Sequence, residues 1–166
     1  MDCNLYLENL EKKFNQYFTI EKNIFIKGIE INIFAKYFEK TGRTLITQRD
    51  VIDAFENYEY CFIKTYENIS LREIIEFEEF LKHAAQIYVK PHSEHMCTHV
   101  TGIMVSKGII NDECIKEINK FKYSKSFKFM LHGWCDVRLI VADLFSDAVI
   151  TNKAGKSVKK VYEVTP

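Results

Sequence analysis

The sequence lacks several features that would place a protein of this size in a special class. Its 166 residues include only two prolines and six glycines, and no stretch rich in proline, glycine or serine separates one part from another. No apolar run approaches the ~20 residues that a transmembrane helix needs. The first residues also lack the basic start and apolar core of a signal peptide. We therefore expect a single domain over residues 1–166 with no membrane partner.

The cysteines lack a recognisable pairing pattern. They lie at positions 3, 61, 97, 114 and 135, an odd number with wide spacing and no Cys-x-x-Cys pair. A secreted protein of this length more often has an even and denser set that forms disulfides. The pattern favours a reducing compartment, and we expect a cytoplasmic location.

The chain also lacks an excess of charge, because 23 basic side chains balance 23 acidic ones. Dedicated nucleic-acid binders gain most of their affinity from positive charge, so a neutral total argues against that class. The total nevertheless conceals two unlike parts. Residues 1–115 hold 13 basic and 18 acidic side chains, whereas residues 116–166 hold 10 and 5. The join between them lies near the histidine-rich segment, over residues 92 to 116.

The composition and the periodicity of apolar residues predict a folded α+β protein. Apolar residues make up 47% of the chain and aromatic residues 14%, which excludes a disordered protein. Helical spacing or capping signals occur over residues 3–18, near residues 50–55, over 70–88 and from Asn111 to Phe121. Strand patterns occur over residues 24–33, 34–40, 43–47, 58–66, 98–105, 127–131, 137–144, 148–151 and 158–164. We predict one mixed or mostly antiparallel sheet of about six to eight strands, flanked by three or four helices.

The segment from Pro91 to His99, with the sequence Pro-His-Ser-Glu-His-Met-Cys-Thr-His, carries the main candidates for chemistry. Imidazole, thiolate and carboxylate are the side-chain classes that bind zinc and related transition metals. In a helical turn, His92, His95 and His99 would align at i, i+3 and i+7. In an extended chain, His95, Cys97 and His99 would share one face. These residues are the candidate ligands of zinc or another transition metal, although the spacing matches no closed zinc module.

The same segment offers a catalytic hypothesis that needs no metal. His95 would act as a general acid or base, and Glu94 or Glu79 would orient its ring. Cys97, with histidines on both sides, would be a nucleophile with a lowered pKa. The alternative is structural, with histidines near a helix end and a strand start that bind backbone groups and water.

Three functional hypotheses remain open. The first is a non-catalytic binding or regulatory module that recognises a protein partner or forms a homodimer, because the chain has no strong catalytic motif and has 13 Phe and 9 Tyr. The second is a metal-dependent hydrolase or metal-binding protein that uses the histidine segment. The third is a nucleic-acid-associated protein, in which lysines alternate with aromatic rings; these residues are Lys116, Lys120, Phe121, Lys122, Tyr123, Lys125, Phe127, Lys128 and Phe129. Strand alternation would place Phe127 and Phe129 on one face and Lys128 on the other.

Overall fold

A seven-stranded mixed sheet organises the chain. The computed structural model describes residues 1–44 and 51–164. The elements are α1 (Cys3–Phe14), β1 (Thr19–Ile26), β2 (Ile29–Thr44), β3 (Val51–Tyr66), α2 (Leu71–Tyr88), β4 (His95–Ser106), α3 (Asp112–Lys120), β5 (Ser124–Ser126), β6 (Trp134–Asp143) and β7 (Ala148–Thr151). Two short 3-10 helices follow, at Ala154–Ser157 and Lys159–Tyr162. The predicted single α+β domain is confirmed.

The sheet has an antiparallel half and a parallel centre. The strand order is β1-β2-β3-β4-β6-β5, and β7 also pairs with β6. β1, β2 and β3 are antiparallel neighbours, whereas β4 is parallel to both β3 and β6. Parallel neighbours require a crossover connection, and α2 supplies it between β3 and β4, while α3 lies between β4 and β6. This topology brings the starts of β3, β4 and β6 together at one end of the sheet.

The helices cover the two faces of the sheet. The α2 face carries α2 and α3 over strand residues such as Phe62, Val100 and Leu139. The α1 face carries α1 and the last 3-10 helix over residues such as Ile63 and Ile103. Consecutive strand residues therefore point into different layers, and the parity of a residue in β3, β4 or β6 decides which layer it enters.

The sequence predicted α2 well because its start and its buried stripe are both encoded locally. The backbone N–H of Ser70 donates to the Glu73 carboxylate at 2.9 Å, as in a capping box. Ile74, Phe77 and Leu81 then recur on one side of the helix and are fully buried. Among the described residues, no helix is long and apolar enough to cross a membrane.

Five local predictions are wrong. Residues 24–33, expected as one strand, contain the turn at Lys27 and Gly28 that joins β1 to β2. The predicted hairpin over residues 34–47 is instead the continuous strand β2 to Thr44, and residues 45–50 lie outside the described part. Residues 51–55, expected in a short helix, belong to β3. Residues 158–164, expected as a strand, contain a 3-10 helix. Residues 127–131, also expected as a strand, form a loop, because Lys128, Phe129 and Met130 have φ values of 45°, 53° and 72°.

Candidate functional site

The histidine segment forms the start of β4, where a bulge separates its side chains. His95 pairs with Glu56 of β3, whereas Cys97 pairs with the next residue, Asn57, so Met96 is an extra residue in β4. The bulge turns His95 towards the α2 face, where it bonds Thr98, while Cys97 and His99 lie on the α1 face. The helical turn considered for His92, His95 and His99 is not formed, and the bulge breaks the regular alternation that would have placed His95, Cys97 and His99 on one face.

Both ring nitrogens of His95 have protein partners. Nδ1 lies 2.7 Å from the carbonyl oxygen of His132, and Nε2 lies 2.8 Å from Oγ1 of Thr98. A carbonyl oxygen only accepts, so Nδ1 donates to it, while Nε2 is hydrogen-bonded to the threonine hydroxyl. The His95 side chain is only 3% exposed. In this arrangement the ring has no free lone pair for a metal or a substrate proton, and it holds the backbone at His132 in place.

His92 and Glu94 belong to a separate ionic group at the same end of the sheet. His92 Nε2 lies 3.0 Å from Glu56, and Glu94 lies 2.6 Å from Lys40. Lys40 also contacts Glu56 at 3.0 Å. Hydrogen bonds from Tyr58 and Lys40 lower the pKa of Glu56. Glu94 is therefore paired with a lysine, and no hydrogen bond joins it to His95 in the part of the chain that the structure describes.

Cys97 and His99 form a neutral pair on the α1 face. The Cys97 thiol donates to Oδ1 of Asn57 at 3.1 Å and lies 3.9 Å from Nε2 of His99. Burial raises the pKa of Cys97 and lowers the pKa of His99. The pair is thus a thiol beside a neutral imidazole, which does not support the expected lowering of the Cys97 pKa.

A hydrogen-bonded polar cluster of Glu59, Thr101 and Arg138 borders the Cys97–His99 pair. Oε1 of Glu59 accepts hydrogen bonds from Thr101 at 2.8 Å and from Arg138 at 3.0 Å. Glu59 and Arg138 are both mostly buried, so each charge is compensated by the other. Nδ1 of His99 is the one buried polar atom near this cluster without a partner among the described residues.

The structure does not bring the three predicted metal ligands together. The rings of His92 and His95 lie 6.1 Å apart between centroids, and His99 is on the opposite face of the sheet. Over residues 1–44 and 51–164, no group of three or more His, Cys, Asp or Glu side chains could hold a metal ion.

The structure instead draws attention to the connection between β5 and β6, which we call the apolar loop (residues 127–133). Phe129 is 98% exposed, Leu131 76% and Met130 56%. We call these three consecutive exposed residues the apolar tip. Contiguous exposed apolar surface is rare on monomeric proteins and commonly marks a site of interaction.

The apolar loop has a defined backbone. Internal hydrogen bonds join Leu131 N–H to the Lys128 carbonyl at 3.0 Å and Gly133 N–H to the Met130 carbonyl at 3.0 Å. Three consecutive residues other than glycine occupy the left-handed region, each at a cost of ~1–2 kcal/mol. Such strain persists only where the surrounding structure enforces it, and it concentrates at functional sites.

Two contacts with β4 hold the base of the apolar loop. His95 donates to the carbonyl of His132, as described above. Gly133 has a φ of +71°, and a Cβ atom there would lie 2.1 Å from the carbonyl oxygen of Met96. Only glycine fits this close approach. The buried histidine thus acts as an anchor of the apolar loop.

Exposed lysines lie beside and within the apolar loop in the sequence. Lys122 and Lys125 precede it, and Lys128 lies within it. Nζ of Lys125 lies 5.6 Å from the centroid of the Phe127 ring. The sequence drew attention to these lysines and aromatic rings, but it placed Phe127 and Phe129 on one face of a strand. In the structure Phe127 is half-buried and only Phe129 is fully exposed.

The fold and the site together define a mixed α+β protein with an anchored apolar loop at one end of its sheet. The chain belongs to the family described as Domain of unknown function (DUF8052), whose model matches residues 2–164. Comparisons with curated proteins and with solved structures give no significant match.

Proposed function

We propose that this protein is a non-catalytic binding module and that the apolar loop is its recognition element. The observation that carries the proposal is the exposure of Phe129, Met130 and Leu131 on a hydrogen-bonded loop with left-handed backbone. The exposed apolar side chains and the left-handed backbone do not stabilise the isolated fold. Burying one such side chain against a partner contributes about 1.5–3 kcal/mol. Because the loop is already ordered, binding does not have to fix its conformation.

The catalytic and metal hypotheses have less support from the geometry. Both nitrogens of His95 are engaged, and Glu94 is paired with Lys40. The thiol of Cys97 has a raised pKa, so it is a weak nucleophile near neutral pH. A metal-dependent hydrolase centred on His92, His95 and His99 would require these side chains to move between layers of the fold.

The location and the partners of the module are part of the proposal. We place it in the cytoplasm, where the five cysteines, which are unpaired in the structure, would remain reduced. A nucleic-acid role through the lysines is less favoured, because of the four aromatic rings among those lysines Phe121 is buried, Tyr123 and Phe127 are half-buried, and Phe129 alone is exposed for stacking on a base. A homodimer stays a prediction. A symmetric contact between two apolar loops would bring Lys125 and Lys128 of both copies together, so we expect a different surface to form it.

Site-specific photo-crosslinking in cells tests the proposal. A photoreactive amino acid would replace Phe129, and a matched variant would carry it at Tyr17, which is 72% exposed on another part of the surface. We expect a discrete adduct, protein or lipid, from position 129 and none from position 17. Co-expressed unlabelled wild type should reduce the adduct, whereas a Phe129→Ser, Met130→Ser, Leu131→Ser variant should not. Equal labelling from both positions, or no adduct from position 129, would contradict the proposal.

A further inference from the structure

We infer that the apolar loop binds a membrane surface rich in anionic lipid, with its tip inserted at the level of the headgroups. This inference rests on the proposed function, because it names the partner of the same loop. Two features carry it, the exposure of the apolar tip and the charge of the chain on either side of it.

The apolar tip consists of three exposed apolar residues in a row. Phe129 is almost fully exposed, so hardly any of its ring touches the rest of the protein. Other exposed apolar side chains, such as Phe25 and Phe145, are not part of such a consecutive set. A fluid lipid surface accepts exposed apolar side chains without a matching pocket. Side chains of this type bind membranes by burying their apolar part near the boundary between headgroups and acyl chains.

The chain on either side of the apolar tip carries charge of one sign. Between Glu117 and Asp136 the sequence contains no acidic residue, and it contains Lys120, Lys122, Lys125 and Lys128. Lys122, Lys125 and Lys128 are exposed, and in the described part of the chain none of these three forms an ion pair with a carboxylate. Each lysine near an anionic membrane raises the affinity of the protein for that membrane roughly five-fold.

The aromatic residues at the base of the apolar loop fit the same environment. Tyr123 and Trp134 flank the segment and are half-buried in the protein. Tyrosine and tryptophan prefer the interface between membrane and water, where an apolar ring and a polar group are both accommodated. The expectation of no membrane partner came from the lack of a spanning segment, and surface insertion of a loop needs no such segment.

Vesicle co-sedimentation of the full chain tests the inference. Neutral vesicles would contain phosphatidylcholine alone, and anionic vesicles equal parts of phosphatidylcholine and phosphatidylglycerol. We expect binding to the anionic vesicles only, with affinity that falls as salt rises. The emission of Trp134, the single tryptophan of the chain, should shift to shorter wavelength on binding.

Matched variants separate the apolar and the charged contributions. Phe129→Ser with Leu131→Ser should weaken binding at least ten-fold, whereas Phe25→Ser with Phe145→Ser should leave it unchanged. Lys125→Gln with Lys128→Gln should weaken it about 25-fold, whereas Lys153→Gln with Lys156→Gln should have much less effect. All eight side chains are exposed, so the variants should fold like the wild type, which circular dichroism would check.

The outcomes distinguish the inference from the proposed function. Lack of vesicle binding, together with a protein adduct at position 129, would overturn the membrane inference and leave the binding module in place. Vesicle binding that is unchanged in both loop variants would overturn the inference. If, in addition, no adduct specific to position 129 forms, the proposed function would be overturned as well. A competing outcome is that the protein binds single-stranded RNA as tightly as anionic vesicles. If that RNA binding is lost in the lysine variant but kept in the Phe129 and Leu131 variant, the inference would be overturned in favour of a nucleic-acid role.

Discussion

At the scale of single residues, Glu78 is the clearest conflict between a side chain and its surroundings. It lies on the buried side of α2, is 5% exposed, and its Oε1 has no partner among the described residues. Glu117 of α3 adds a second negative charge nearby, and Lys82 only partly offsets it. Burial and Glu117 raise the pKa of Glu78 to about 7.

The raised pKa of Glu78 predicts a stability that falls as pH rises. Below the ordinary pKa of a glutamate, the carboxyl group is neutral in the folded and unfolded states, so its ionisation does not lower the free energy of unfolding. Between that value and about 7, the unfolded chain ionises first, so the free energy of unfolding decreases and then levels off above pH 7. We expect Glu78→Gln to be more stable than the wild type by about 2–3 kcal/mol at pH 8 and equally stable near pH 4.

Urea unfolding of both proteins between pH 4 and pH 8 would measure this difference. Glu8→Gln, at an exposed position of α1, is the matched control and should follow the wild type at every pH. A constant offset between Glu78→Gln and the wild type over the whole range would show that Glu78 does not titrate as its burial implies.

At the scale of elements, the sequence was informative where local signals and tertiary packing agree. Helix α2 has its capping box and its apolar stripe, and β4 and β6 have β-branched and apolar runs that suit a buried sheet. The apolar loop could not be predicted, because Phe127-Lys128-Phe129 has the alternation of a strand. Its left-handed backbone depends on anchors from β4, which is distant in sequence. For the same reason the role of His95 became visible only in three dimensions.

The anchor at Gly133 predicts a difference between two glycine substitutions. Gly28 and Gly133 both have positive φ, of +79° and +71°, but a Cβ atom at Gly28 would meet nothing within 4 Å. Gly28→Ala should therefore lose only about 1 kcal/mol of unfolding free energy, from the left-handed backbone. Gly133→Ala should lose about 2–4 kcal/mol, because its Cβ would also collide with the Met96 carbonyl. Equal losses in urea unfolding would mean that the base of the apolar loop is not tightly held.

At the scale of the whole molecule, the sheet is buried at its centre and exposed at one edge. From Val100 to Ser106, β4 is buried on both faces and has parallel neighbours on both sides. By contrast, β1 lies at the edge of the sheet, its side chains are mostly exposed, and Asn23 has a positive φ of 51° that interrupts its pairing with β2. An edge interrupted in this way resists pairing with another sheet, so we do not expect β1 to form a dimer contact.

The difference in burial between β4 and β1 predicts the order of backbone hydrogen exchange. The amides of β4 from Val100 to Ser106 should exchange slowest, because opening them requires global unfolding, whereas β1 and the tip of the apolar loop should exchange through local opening. The amide of Gly133, bonded to the Met130 carbonyl at the anchored base, should be slower than the exposed Phe129 amide. Exchange measured by mass spectrometry or NMR would test this order, and equal protection of β1 and β4 would contradict it.

The His95→Ala variant should speed exchange in the apolar loop and leave β4 beyond Val100 unchanged, because the histidine anchors the loop to the buried centre of the sheet and does not support that centre.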